Sequence, residues 1–107
     1  MLRVLMVEDS ADDAELVLRE LRRDGHEPQA GRVDAPDALR RALDGQTWDI
    51  VISDYAMPQF NGLDALRIVR EKGLDIPFII VSGTIGEDTA VDAMKAGAQD
   101  YIMKDRM

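Results

Sequence analysis

The chain of 107 residues contains no cysteine, one histidine and one tryptophan, and aromatics make up only 5% of it. Without cysteine there is no disulfide, no thiol nucleophile and no cysteine zinc site. That is consistent with a cytoplasmic protein, and we expect one. Positive charge is also scarce: 13 Lys and Arg stand against 21 Asp and Glu, a formal net charge of −8. A nucleic-acid surface needs clustered basic residues, so direct nucleic-acid binding is not expected. No apolar run approaches the length that crosses a bilayer. Met1-Leu2-Arg3 leads straight into a strand-length apolar run, so neither a signal peptide nor a membrane partner is expected.

What is present is a regular alternation of apolar strands and amphipathic helices. Leu2 to Val7 is a near-continuous apolar run, the signature of a strand buried on both faces. Asp9-Ser10 caps a helix over Ala11 to Arg23, with Ala14, Val17, Leu18 and Leu21 on one face, and Asp24-Gly25 ends it. Glu27 to Val33 is a polar strand carrying Pro28 and Gly31, which suits an edge. A second helix starts at Asp34-Ala35-Pro36-Asp37, with Pro36 fitting its first turn, and Gly45 closes it. Asp49 to Ser53 is a strand, Asn61-Gly62 a turn in which Gly62 can take positive φ, and Leu63 to Lys72 a helix. Pro77 to Val81 is a strand, Glu87 to Ala96 a helix with Gly97 as its left-handed cap, and Asp100 to Met103 the last strand. His26 falls in the Asp24–Pro28 turn and reads as a surface residue. Trp48 reads as packing near the start of its strand.

This β-α order predicts an α/β, doubly wound parallel sheet in one domain, 1–107, with right-handed crossovers. The chain stops four residues after Met103, so the helix expected after that strand is missing from it. The Ala11–Arg23 helix would then cover its face of the sheet alone, leaving apolar atoms of the first and last strands exposed. Exposed apolar patches favour association, which predicts a dimer through that face.

The chemistry lies in the residues at the carboxyl end of each strand. Glu8 and Asp9 come after the first, Asp54 after the third, Ser82 after the fourth and Lys104 after the fifth. In a parallel sheet all these carboxyl ends share one edge, where open α/β folds bind ligands. Helix capping alone would account for Glu8-Asp9. Convergence with Asp54 is different, because clustered carboxylates repel and raise one another's pKa. A hard dication relieves that repulsion, and Mg2+ prefers a few oxygen ligands with waters in the remaining positions. Three carboxylates, a hydroxyl and an ammonium can hold a divalent cation and a phosphoryl group side by side.

The most specific stretch is Asp54-Tyr55-Ala56-Met57-Pro58-Gln59-Phe60-Asn61-Gly62. With the acidic pair after the first strand, Ser82 closing the fourth and Tyr101-x-x-Lys104 at the fifth, the chain resembles the response-regulator receiver domains of two-component signalling. The match runs from Leu2 to Lys104. The resemblance implies a flavodoxin-like sheet of order 2-1-3-4-5. It implies that Asp54 accepts a phosphoryl group from a histidine kinase or histidine phosphotransfer protein. Mg2+, or Mn2+ in its place, would be held by Glu8, Asp9, Asp54 and the Ala56 backbone carbonyl. Lys104 and Ser82 would contact phosphoryl oxygens, and the Gly83 backbone N–H would assist. Ser82 and Tyr101 would form the switch, with Thr84 a lesser hydroxyl beside it. The domain would then be a switch that catalyses only its own phosphorylation and dephosphorylation.

Val81 to Glu87 resembles a subgroup whose receivers often precede PAS, diguanylate cyclase or histidine-kinase modules, so an effector C-terminal to the domain is expected. In this family proline usually comes after the motif lysine, often across a cis peptide; here that residue is Asp105. One rival is a Mg2+-dependent phosphohydrolase with an aspartyl-phosphate intermediate. Those enzymes usually carry a second acid two residues after the nucleophile, where this chain has Ala56. A flavin-binding module is another rival, but Glu8-Asp9 would repel the flavin phosphate.

Overall fold

The structure, a computed structural model, describes residues 1–83 and 87–106. Five strands, β1 (Leu2–Val7), β2 (Pro28–Val33), β3 (Ile50–Asp54), β4 (Phe78–Ser82) and β5 (Asp100–Met103), alternate with α1 (Ala11–Arg23), α2 (Pro36–Gly45), α3 (Gly62–Glu71) and α4 (Glu87–Lys95). A 3-10 turn over Lys104–Arg106 comes after β5. All pairings are parallel and the sheet order is β2-β1-β3-β4-β5, as the β-α pattern and the resemblance imply. Element ends differ from the sequence reading by a residue or two.

The pleat divides the apolar residues between two layers. Leu5, Val7, Val51, Phe78 and Ile80 join Leu39 and Leu43 of α2, Leu66 and Val69 of α3 and Ala93 of α4 in the larger core. Val4, Met6, Ile52 and Val81 face Ala14 and Val17 of α1. β2 is the exposed edge that its Pro28 and polar residues predicted. Gly31 on it leaves room for Trp48: a Cβ there would lie 2.8 Å from the indole. The indole N–H donates to the Ala42 carbonyl at 2.9 Å. His26 is exposed, as expected.

Two expectations are corrected. Gly62 does not use positive φ; among the described residues the glycines that do are Gly25, Gly73 and Gly97. Its requirement is space, because a Cβ would sit 3.0 Å from the Asp54 carbonyl oxygen and 3.2 Å from the Tyr55 Cα. Nor is β1 the strand left open on the α1 side, since Val4 and Met6 are fully buried beneath that helix. The open part is a groove of about 250 Å³ floored by Ile50, Ile52, Ile79, Val81 and Ile102 of β3, β4 and β5, with Val17 and Leu21 of α1 along its side.

This groove generates a prediction. Sedimentation of the 107-residue chain should show concentration-dependent dimerisation, which Leu21→Glu at the groove wall should weaken. A wild-type chain that remains monomeric at high concentration would show that the groove tolerates water.

Candidate functional site

The strand register builds the site. Val7 pairs with Ser53, Asp54 with Val81 and Ser82 with Met103. The residues at and just beyond these pairs therefore crowd onto one edge of the sheet. Glu8 and Asp54 are both buried there, at 1% and 8% exposure, while Asp9 is exposed. Oxygens of Glu8, Asp9 and Asp54 all lie within 4.8 Å of one another.

Each acid is fixed by local structure. The Glu8 amide donates to the Val33 carbonyl at 2.9 Å, tying it to β2. Its carboxylate Oε1 accepts the Ser10 backbone N–H at 3.1 Å, and Arg32 donates to its backbone carbonyl at 3.2 Å. Asp54 ends β3, and the Ser53 hydroxyl donates to its carbonyl at 2.9 Å. Beyond it, Ala56 forms an antiparallel bridge with Asn61, and the Gly62 amide donates to the Tyr55 carbonyl at 2.8 Å. Asn61 then caps α3 reciprocally with Asp64. The Asn61-Gly62 pair thus folds the loop back onto the end of β3.

Lys104 closes the cluster. Its ammonium donates to Asp13 Oδ2 at 2.7 Å and Glu8 Oε2 at 3.1 Å, and lies 3.3 Å from Asp54 Oδ1. No peptide bond among the described residues is cis, so Lys104–Asp105 is trans.

Among the described residues, Lys104 is the one cation in salt-bridge contact with Glu8, Asp13 and Asp54. Two like charges about 5 Å apart repel by about 3 kcal/mol at an effective dielectric of about 20. Burial pushes the Glu8 carboxyl up to about 7. The Ser10 N–H draws it down, the Asp54 charge raises it further, and Lys104 opposes that rise. Burial also disfavours the charged form of Lys104, but its bonds to Asp13 and Glu8 and the nearby Asp54 charge outweigh this and hold it above the usual lysine range. Lys104 therefore stays an ammonium, and Glu8 is the member that yields a charge.

Glu8, Asp9, Asp54 and Lys104 are brought together as the sequence predicted. Ser82 ends β4 on the same edge and is buried. Tyr101 is half-buried and packs against the larger core. Gly83 is exposed beyond Ser82, and Thr84, with the rest of the subgroup stretch to Gly86, lies outside the described residues. Two members were not anticipated: Asp13, which reads as an ordinary acid in a helix's first turn, and Arg32, whose partner is a backbone carbonyl that no motif marks.

The fold and site define a doubly wound α/β module with an acidic, lysine-containing crevice at the carboxyl edge of its sheet. Residues 4–106 match the family described as the response regulator receiver domain, and the chain belongs to it. It is 34% identical over 102 residues to the transcriptional regulatory protein PrrA of Mycobacterium tuberculosis, covering 95% of this chain and 43% of PrrA. It is also 34% identical over 109 residues to a chemotaxis protein CheY homolog of Campylobacter jejuni, covering 96% and 81%. A crystal structure of a response regulator from Hahella chejuensis superposes with TM-score 0.84 at 30% identity, over 99% of this chain and 82% of that one. The Mn(2+)-bound form of response regulator Rcp1 shares the fold, with TM-score 0.81 at 22% identity, over 100% of this chain and 84% of that one. The chain spans less than half the length of PrrA. As a receiver domain it has the phosphoacceptor role in two-component signalling.

The Glu8 environment predicts a pH dependence in metal-free buffer. Below about 4.5 Glu8 is protonated in both folded and unfolded chains. Between about 4.5 and 7 the unfolded chain releases that proton first, so rising pH favours unfolding. The stabilisation by neutral Glu8 is therefore complete below that window and lost by its upper end. Thermal melts in chelator from pH 5 to 7.5 should show Tm falling in wild type relative to Glu8→Gln. Parallel profiles for the two proteins would refute the assignment.

Proposed function

We propose that Asp54 is the phosphoacceptor and that Glu8, Asp9 and Asp54 hold Mg2+ or Mn2+, with the Ala56 carbonyl as a further ligand. The observation that carries this is the placing of an obligate ammonium 3.3 Å from Asp54 Oδ1 inside a cluster short of positive charge. The donor set fits such a metal: the ligands are hard oxygens without nitrogen or sulfur, two are buried, and the third is exposed, leaving room for water. When bound, the cation neutralises charge on the transferring phosphoryl oxygens.

The chain's own residues do the rest. An Asp54 carboxylate oxygen attacks the phosphorus of a phosphohistidine on a histidine kinase or histidine phosphotransfer protein. The O–P bond forms as the P–N bond breaks, and the released imidazole nitrogen takes a proton. Carboxylate nucleophiles are an established route to covalent intermediates. Lys104 takes one phosphoryl oxygen as a point charge. Ser82 donates to another, with the Gly83 N–H beside it.

Movement of Ser82 toward the phosphoryl group would draw Tyr101 inward from its half-buried position. Phosphorylation thereby biases a two-state equilibrium. α4, which exposes Val91 and Met94 at 51% and 48%, offers a face for a partner or attached effector to read. We read the domain as a switch that turns over only its own phosphate, in a cytoplasmic protein. Among the described residues no helix is long and apolar enough to cross a membrane.

Incubation with Mg2+ and phosphoramidate should add one base-labile phosphate, seen by intact mass, and Asp54→Asn should remove it. Undiminished labelling of Asp54→Asn at another residue would overturn the assignment.

A further inference from the structure

The motif residues alone do not explain what holds Lys104. An ammonium has three N–H donors, and here it faces three acceptors: Asp13 Oδ2 at 2.7 Å, Glu8 Oε2 at 3.1 Å and Asp54 Oδ1 at 3.3 Å. The shortest of these contacts goes to a residue outside the acidic pair and outside every motif of the chain.

Asp13 is free for this because of how α1 begins. Ser10 is the N-cap, and its side chain accepts the Asp13 backbone N–H at 3.2 Å. In a capping box the acid at that third helical position returns the bond to the N-cap backbone N–H. In this chain Glu8 Oε1 takes the Ser10 N–H at 3.1 Å. The Asp13 carboxylate is released from the cap and turns to Lys104. By contrast, Asn61 and Asp64 at the start of α3 make the reciprocal pair in full, so the departure at α1 is local.

We propose that Asp13 is a positioning residue for Lys104, resting on the reading that Asp54 accepts the phosphoryl group. Asp13 and Glu8 anchor two of the three ammonium N–H groups, which leaves the third aimed at Asp54, where the incoming phosphoryl oxygens arrive. Lys104 sits in the turn after a four-residue edge strand, on a long flexible side chain that a single contact would not fix. Asp13 ties it from α1, at the opposite end of the chain. Because Asp13 is itself partly exposed, at 42% for its side chain, its role is aim and not burial.

The test compares Asp13→Ala, Asp13→Asn and Asp13→Glu with Asp12→Ala, an exposed acid in the same helical turn, as the control for helix stability. In metal-free protein, 15N-edited NMR reads the Lys104 side-chain ammonium directly. Its signal should be present in wild type and Asp12→Ala, and exchange-broadened or shifted in Asp13→Ala and Asp13→Asn. With Mg2+ and phosphoramidate, the maximal phosphorylation rate of Asp13→Ala should drop about tenfold, or about 1.4 kcal/mol. The Mg2+ concentration at half-effect should shift far less than in Asp9→Asn, because Asp13 is not a ligand. Asp13→Glu should recover part of the rate. An unchanged ammonium signal, or a rate equal to or faster than wild type in Asp13→Ala, would overturn the proposal. Absence of any phosphorylation in wild type would instead sink the phosphoacceptor reading, and the ammonium signal would still decide whether Asp13 holds Lys104.

Discussion

The surplus of carboxylates around the Lys104 ammonium is the constraint on which the functional edge of this molecule depends. Glu8 and Asp54 are buried, Asp9 and Asp13 stand at the rim, and Lys104 bridges Glu8, Asp13 and Asp54. A packed interior rarely tolerates unpaired like charges, because desolvation costs more than a single partner returns. The protein meets this partly by raising the Glu8 pKa toward neutrality. The rest of the imbalance is the like-charge repulsion that a dication would relieve.

The scaffold keeps that imbalance in place. The parallel pairings put four chain segments at one edge with fixed register. Gly62, required by the close approach of the Asp54 and Tyr55 backbone, lets α3 start close against the end of β3. Arg70, at the far end of α3, donates to the carbonyls of Leu74, Ile76 and Gly97. One guanidinium thereby clamps the entry to β4 and the end of α4. β4 and α4 are thus tied together at the end of the sheet away from the site.

Much of this was legible from residue order. Unbroken apolar runs marked buried strands, Pro28 marked the edge, and the residues after the first, third, fourth and fifth strands pointed to one shared edge. What escaped has a physical pattern. Asp13 carries the signature of a helix-capping acid, and only three-dimensional competition for the Ser10 N–H reveals its other use. Gly62 looked like a positive-φ turn residue, because sequence cannot separate a need for unusual dihedrals from a need for space. β1 was expected to lie open, but α1 sits squarely over Val4 and Met6 and leaves β3, β4 and β5 to line the groove. The angle at which a helix crosses a sheet is set by side-chain packing and not by the order of elements.

The most direct measurement is a calorimetric Mg2+ titration of wild type and Lys104→Met at low ionic strength, with melts of both in chelator. Competition between the ammonium and a dication for the same carboxylates predicts tighter Mg2+ binding in Lys104→Met, together with lower stability when the metal is absent. Equal or weaker Mg2+ binding in Lys104→Met would contradict the view that Lys104 is the resident counter-ion of an overcharged site.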